Sequence, residues 1–170
     1  MLLEVIALAI FVGWLAGGRP GRLAGVKLIG AELIFTALVM QLLAPRVSGA
    51  NQTLGYLLLV LSYLVLLAAL SRNEPSAAIA LMAAGVFLNF VVISLNGGMP
   101  VMAAIPVGYN DGVHIGLSQA TRMAWLGDVI TWPFPGALGG LVSIGDILLA
   151  AGIGVFIFQG MKYKGRRSAF

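Results

Sequence analysis

Charge is scarce in this sequence. Only 9% of its 170 residues are charged, against about 25% in an ordinary soluble domain. Polar side chains are therefore too few to cover a water-soluble globule, which excludes a soluble enzyme, a nucleic-acid-binding domain and a disordered chain. Cysteine is absent altogether, so disulfides and thiolate metal sites are excluded as well.

Long apolar runs make up most of the chain instead. Sixty per cent of the residues are hydrophobic, and a helix needs about 20 apolar residues to cross a hydrocarbon core of about 30 Å. Glycine, proline and charged residues interrupt the runs, and Pro45 is predicted to end the second of them. We therefore predict an all-α fold in a single membrane domain over residues 1–170. Its bundle of about five transmembrane helices is predicted at about residues 2–17, 28–44, 54–70, 76–96 and 146–161.

The positions of the basic residues predict the orientation of this bundle. With the C-terminus in the cytoplasm, only Arg46 and Arg122 lie outside, which is the asymmetry that the positive-inside rule expects. The N-terminus is then outside, and so is a long segment at about residues 97–145. We expect this segment to lie on the membrane surface as a lid, with a short helix at about 111–126. The other eight of the ten basic residues fall inside: Arg19, Arg22, Lys27, Arg72, Lys162, Lys164, Arg166 and Arg167.

Acidic and amide side chains gather on the predicted outer side. Asn89 and Asn96 lie seven residues apart on one face of the fourth span. Asp128 lies in the outer segment, and Asp146 begins the fifth span. Ionisable and amide groups at membrane depth are functional candidates, so these four residues are predicted to line an outward-facing ligand pocket. Its carboxylates favour a small cationic ligand or a polar, lipid-like headgroup.

Three members of this group, Asn89, Asp128 and Asp146, also have a purely structural explanation. Asn89 can hydrogen-bond to another helix, an interaction worth about 1 kcal/mol. Ser143 and Asp146 fit a capping box, in which the carboxylate reaches back to the N–H group three residues earlier. The positive end of the helix also favours Asp146 there, and Asp128 can pair with Arg122. The structural and functional interpretations both stay open for each of these three residues.

The remaining polar residues do not suggest a cofactor. The single histidine, His114, follows Asp111 by three residues, but two such groups fall short of the three or four ligands that a metal site usually needs. We therefore interpret His114 as a solvated residue at the membrane interface and predict no metal and no cofactor. The expected partners are membrane lipids and a small polar or lipid ligand, not nucleic acid. A homo-oligomer stays an open alternative.

Three segments carry a resemblance to a known family. Asn-Gly-Gly-Met-Pro-Val at 96–101, Thr-Arg-Met-Ala-Trp-Leu-Gly-Asp-Val-Ile at 121–130 and Ser-Ile-Gly-Asp-Ile-Leu-Leu-Ala at 143–150 resemble an uncharacterised bacterial family, catalogued as domain of unknown function 5317. The family pattern has one more residue before Met99, so the turn here is expected to be tighter. The resemblance implies a multi-pass protein of the bacterial cytoplasmic (inner) membrane, and it implies no activity.

The spacing of two aspartates is also similar to that of the bacterial lipoprotein signal peptidases. Asp128 and Asp146 lie 18 residues apart, the second at the start of a span, and in those peptidases two such aspartates are catalytic. Two carboxyl groups that share a proton can act as base and acid on a peptide bond. The chain departs from the peptidases in having five predicted spans rather than four and in lacking their Asn-x-x-Asp-Arg motif.

Three classes of function follow from these features. We favour a protein that is not an enzyme and that binds or transports its ligand through the acidic pocket. If the protein is instead an aspartyl-dyad intramembrane peptidase, Asp128 and Asp146 are its catalytic residues. The third class is a non-catalytic accessory subunit of a membrane complex.

Overall fold

A computed structural model of the chain describes residues 1–102, 112–133 and 140–162. Four of its helices are long and apolar enough to cross a membrane, and α1 is an apolar helix of 14 residues, about 21 Å long. The prediction of an all-α membrane bundle is confirmed. The helices of the described ranges are α1 (Leu2–Leu15), α2 (Ala31–Ala50), α3 (Gln52–Ser71), α4 (Ala77–Asn96) and α5 (Ile144–Lys162).

Polar residues and glycine define the ends of the long helices. The Asn51 side chain accepts a hydrogen bond from Leu54 N–H at the start of α3, and the Ser76 hydroxyl accepts one from Ile79 N–H at the start of α4. Gly97 ends α4 with a φ of 76°, a left-handed conformation that suits glycine. Between these ends large apolar side chains remain exposed, which requires lipid rather than water around the bundle.

The predicted end of the second span at Pro45 is wrong. Helix α2 continues through Pro45 to Ala50. Proline removes one helical hydrogen bond, but membrane helices tolerate this where other groups satisfy the backbone. The carbonyl that loses its N–H partner is that of Gln41, and the neighbouring Leu42 carbonyl accepts a hydrogen bond from Arg46 Nη1 at 2.8 Å.

The helices pack side by side in the order α2, α3, α4, α5, α1. Helices α4 and α5 approach each other closely at glycine residues, as membrane helices often do. A Cβ at Gly85 would overlap the backbone of Gly145, and one at Gly152 would overlap Met82. The first helix packs against α5, although α2 follows it in sequence.

The connection from α1 to α2 crosses one end of the bundle. It contains a 3₁₀ turn at Pro20–Gly25, and Arg19 N–H donates to the Met161 carbonyl of α5 at 3.0 Å. Gly160 on α5 lies against the Leu23 side chain. We call this the basic end, because it carries Arg19, Arg22, Lys27, Arg72 and Lys162.

The connection from α4 to α5 folds over the opposite end, which we call the loop end. Strand β1 (Met99–Val101) pairs in parallel with β2 (His114–Gly116), and β3 (Ile130–Trp132) pairs antiparallel with β4 (Gly140–Val142). Leu126 is fully buried there, in one apolar cluster with residues of the helices. This segment is therefore part of the core and does more than cover the surface.

The short helix expected at about 111–126 is not formed in the described part of that range. Residues 114–116 are strand β2, and a 3₁₀ turn follows only at Ala124–Leu126. Gly112 has a φ of 66°, outside the helical region. The Thr121 hydroxyl accepts a hydrogen bond from Ser118 N–H at 2.9 Å, which stabilises a turn instead. Four residues used in the sequence arguments lie outside the described residues: Asp111, Lys164, Arg166 and Arg167.

Candidate functional site

The first turn of α5 holds a hydrogen-bond network around Asp146. Ser143 N–H donates to Asp146 Oδ2 at 3.1 Å, and Asp146 N–H donates to the Ser143 hydroxyl at 2.9 Å. These reciprocal bonds form the predicted capping box. Asn89 on α4 extends it, because its Nδ2 donates to Asp146 Oδ1 at 2.8 Å and its Oδ1 accepts from the Ser143 hydroxyl at 2.9 Å. Both carboxylate oxygens of Asp146 therefore have partners.

This network depends on the close approach of α4 and α5. A Cβ at Gly145 would overlap the Asn89 amide and lie against the Gly85 carbonyl, so only glycine leaves room for the bonds. Asn89 is 2% exposed and Ser143 is fully buried. Water cannot replace a partner lost at such a place, and each buried polar group left unpaired costs about 1–3 kcal/mol.

Asp128 belongs to the connection from α4 to α5, and its backbone is bonded to strand β1. Its N–H donates to the Pro100 carbonyl at 2.7 Å, and its own carbonyl accepts from Met102 N–H at 3.0 Å. Gly127 allows this approach, since a Cβ there would overlap the Pro100 carbonyl. The backbone of Asp128 is thus fixed beside β1, and the residue is only 7% exposed.

The Asp128 carboxyl group is only partly satisfied. Its Oδ2 lies 3.6 Å from His114 Nε2, whereas its Oδ1 is buried without a hydrogen-bond partner in the part of the chain that the structure describes. Burial raises the pKa of Asp128, and the charge of Asp146 raises it further, while His114 lowers it. A carboxyl group in this setting favours a bound proton or a positively charged neighbour.

Tyr63 on α3 lies near both acidic groups. Its side chain interacts with Asn89 and lies within electrostatic range of Asp128 and Asp146. The two aspartates also interact electrostatically with each other. Helices α3, α4 and α5 and the loop thus contribute to one group of polar side chains. We call it the acidic cluster: Tyr63, Asn89, His114, Asp128, Ser143 and Asp146.

Asn96 has different partners from the other predicted ligand residues. Its Nδ2 donates to the Arg122 carbonyl at 2.9 Å and to the Val92 carbonyl at 2.8 Å. Its Oδ1 accepts from Arg122 N–H at 2.8 Å. The amide therefore fastens the loop to the end of α4, and its part in ligand binding stays a prediction. Three of the four predicted residues come together at the acidic cluster: Asn89, Asp128 and Asp146.

Comparison with known proteins gives the family. The model of a family of unknown function, DUF5317, matches residues 22–158. The chain belongs to this family. The matched residues of this DUF5317 protein include the whole acidic cluster, and the predicted resemblance is confirmed. No curated protein and no solved structure matches the chain, so the similarity to lipoprotein signal peptidases gains no support.

Three members of the acidic cluster in this DUF5317 protein are absent from the predicted ligand residues: Tyr63, His114 and Ser143, the last of which was predicted only as a helix cap. His114 contacts Asp128, where the sequence suggested a solvated histidine and an Asp128–Arg122 pair. Because β1 pairs with both β2 and Asp128, it brings His114 and Asp128 together across 14 residues of sequence. Tyr63 lies within an apolar run, and its phenol oxygen inside a predicted span was the available signal.

Proposed function

We propose that this DUF5317 protein binds a small cationic group at the acidic cluster, and that the amine of a lipid headgroup is its ligand. The Asp128 carboxyl group carries the proposal, because it is buried while its Oδ1 has no partner among the described residues. Burial disfavours the charged carboxylate unless a positive group pairs with it. A primary ammonium offers three N–H donors to such acceptors.

The position of the cluster favours a ligand from the membrane. The loop part of the cluster, Asp128 and His114, lies beside β1 where α4 ends, whereas Asn89 lies seven residues deeper. With the helices spanning a bilayer, the Asp128 carboxyl group therefore lies near the headgroup level. Asp146 adds negative charge nearby, although Asn89 and Ser143 already occupy its oxygens. Asp146 thus contributes through charge and Asp128 through direct contact. Transport would in addition require an arrangement open to the other side.

We also propose that the loop end faces outward and that the C-terminus is cytoplasmic. Among the described residues the basic end carries five Lys/Arg, whereas the loop end carries Arg46 and Arg122, as the positive-inside rule expects. The chain has no cysteine, so single cysteines can report the orientation. Ser118→Cys at the loop end should react with an impermeant maleimide from outside intact cells. Ser71→Cys at the basic end should not, and the opposite pattern would reverse the orientation.

Lipid selection tests the proposed ligand. The protein is placed in nanodiscs of equal phosphatidylethanolamine and phosphatidylcholine, and the lipids retained on it are counted by native mass spectrometry. We expect enrichment of phosphatidylethanolamine by about tenfold, because one well-paired charged hydrogen bond is worth about 1.5–3 kcal/mol. Asp128→Asn should abolish the enrichment. Glu32→Gln, which removes a carboxylate at the basic end, should preserve it.

Soluble cations distinguish an amine from an inorganic cation as the ligand of Asp128. Ethanolamine should raise the thermal unfolding midpoint of the purified protein, and Asp128→Asn should remove this shift. An equal shift with sodium chloride would assign the site to an inorganic cation instead. Retention of the phosphatidylethanolamine preference in Asp128→Asn would refute the proposal.

The two alternatives receive less support from the cluster. A proton-sharing dyad requires its carboxyl groups about 3 Å apart, yet both oxygens of Asp146 are bonded to Ser143 and Asn89. A peptidase would lose all cleavage on either aspartate substitution while keeping its fold. If the protein is an accessory subunit, cells that carry the Asp128→Asn, Asp146→Asn double variant should behave like cells with the wild-type protein.

A further inference from the structure

The basic end contains a cavity of about 540 Å³, within the range of about 300–1,000 Å³ that is usual for small-ligand sites. It lies between the connection from α1 to α2 and the turn from α3 to α4. Lys27, Asn73 and Ser76 form part of its polar wall, and Ile29, Ile79 and Phe156 part of its apolar wall. This division suits an amphipathic ligand, with a polar group at one side and hydrocarbon at the other.

Hydrogen bonds hold the cavity walls in place. Asn73 Oδ1 accepts from Ile29 N–H at 2.9 Å, and Asn73 Nδ2 donates to the Ile29 carbonyl at 2.9 Å and to the Ala69 carbonyl at 2.9 Å. The segment before α2 is thereby fastened to the end of α3. A preformed site loses little conformational entropy when a ligand binds.

The charge at this end favours an anion. The five basic residues stand against Glu32 and Glu74, a balance of 5 − 2 = +3 over the described residues. Arg72 is paired with Glu32 at 3.6 Å, and Lys162 lies 4.6 Å from the centre of the Phe158 ring. Lys27 is the basic residue in the cavity wall. It is exposed and has no hydrogen bond or ion pair within the described ranges.

We propose that this cavity binds an anionic phospholipid, with the phosphate group beside Lys27 and the hydrocarbon along Ile79 and Phe156. The start of α4 at Ser76 lies in the same wall, and the positive end of a helix adds to the attraction for phosphate. Glu74 also lines the cavity and disfavours a more highly charged anion. A diacyl lipid with a single negative charge therefore suits a cavity that has Lys27, Glu74 and an apolar wall.

Lipid counting in nanodiscs of equal phosphatidylglycerol and phosphatidylcholine tests the proposal. We expect phosphatidylglycerol to be enriched on the wild-type protein, and Lys27→Gln to lower its affinity about fivefold, the effect of one basic residue near an anionic lipid. Lys162→Gln removes the same charge from the same end but outside the cavity, and it should lower the affinity far less. If both variants lost the same affinity for phosphatidylglycerol, the lipid would be attracted only by the general charge of this surface, and the proposal would be overturned.

A second variant tests the apolar wall without changing charge. Ile79→Trp fills the hydrocarbon side of the cavity and should reduce phosphatidylglycerol binding, with an unchanged thermal unfolding midpoint as evidence of folding. If the Ile79→Trp variant unfolds, the comparison of Lys27→Gln with Lys162→Gln still tests the proposal. Soluble glycerol phosphate should bind at least tenfold more weakly than the lipid, because it lacks hydrocarbon; equal binding would overturn the assignment to a lipid. Asp128→Asn, at the other end, should leave the phosphatidylglycerol enrichment unchanged.

Discussion

The two ends of the bundle treat their polar side chains in opposite ways. At the loop end Asn89, Ser143 and Asp128 are buried, so each depends on a protein partner. At the basic end Glu74 and Lys27 are exposed and water can satisfy them. A polar side chain therefore contributes more to stability at the loop end than at the basic end. Burial, and not the number of hydrogen bonds, identifies the loop end as the place where substitutions have large effects.

The largest loss of stability is expected at Gly145 on α5, and Gly160 on the same helix provides the comparison. Gly145→Ala places a methyl group against the buried Asn89 amide and the Gly85 backbone, which cannot move aside. We expect it to lower the free energy of unfolding by about 2–3 kcal/mol. Gly160→Ala at the basic end meets only the flexible side-chain tips of Leu23 and Val26. Its loss should stay below about 1 kcal/mol, and equal losses in a chemical denaturation series would contradict the comparison.

Two asparagines provide the next test. Asn89→Leu removes two side-chain hydrogen bonds and leaves Asp146 Oδ1 and the Ser143 hydroxyl without that partner. We expect a loss of about 2 kcal/mol in the free energy of unfolding. Asn73→Leu removes three hydrogen bonds at the basic end, yet should cost only about 1 kcal/mol because water replaces them. A larger loss for Asn73→Leu would show that the number of bonds outweighs burial.

A smaller effect of opposite sign is expected from a buried carboxyl group. The pKa of Asp128 is raised in the folded protein, so folding favours the protonated form. The stability of the wild-type protein should therefore fall as pH rises from the ordinary carboxyl pKa through the raised value. Asp128→Asn lacks this penalty and should be more stable by about 1 kcal/mol at neutral pH, with the advantage vanishing in acid.

The matched control for that test is Glu74→Gln at the basic end. Glu74 is exposed, and its substitution should change the free energy of unfolding at neutral pH by no more than about 0.5 kcal/mol. An Asp128→Asn protein that follows the wild-type pH profile would indicate that the pKa of Asp128 is the same in the folded and the unfolded protein, which would contradict the raised pKa.

The smallest effect is expected at the ion pair between Arg72 and Glu32. Their charged groups are 3.6 Å apart, and the side chains are 55% and 72% exposed. Surface pairs of this kind contribute about 0–1 kcal/mol and are screened by salt. A double-mutant cycle with Arg72→Gln and Glu32→Gln should give a coupling below about 0.5 kcal/mol. A larger, salt-insensitive coupling would mean that the basic end is better shielded from water than its exposure suggests.

The sequence predicted the helical bundle because hydrophobic runs and their breakers are local signals. The capping box at Ser143 and Asp146 is local in the same sense, and both of its hydrogen bonds are present. Helix α2 exceeded its predicted end because membrane surroundings tolerate Pro45. Local signals thus give element types well and the ends of elements less well.

The long loop was harder to predict because its structure depends on distant pairs. The strand pairing that joins β1 to His114 and to Asp128 leaves no periodic pattern, since each strand has only three residues. The contact between His114 and Asp128 follows from that pairing and not from their spacing. Likewise, the sequence placed Asn89 and Asp146 on one side of the membrane, but only the glycine contact of α4 with α5 explains why they touch.

The order of the helices also has a consequence for biogenesis. Helix α1 packs mainly against α5, yet α2, α3 and α4 leave the ribosome between the two. Helices α2 and α3 can form their hairpin early, whereas α1 must stay in the bilayer until α5 is inserted. Membrane insertion and final assembly are therefore separate stages for this chain, and a ribosome that stalls before α5 leaves α1 and the α4 glycine surface facing lipid.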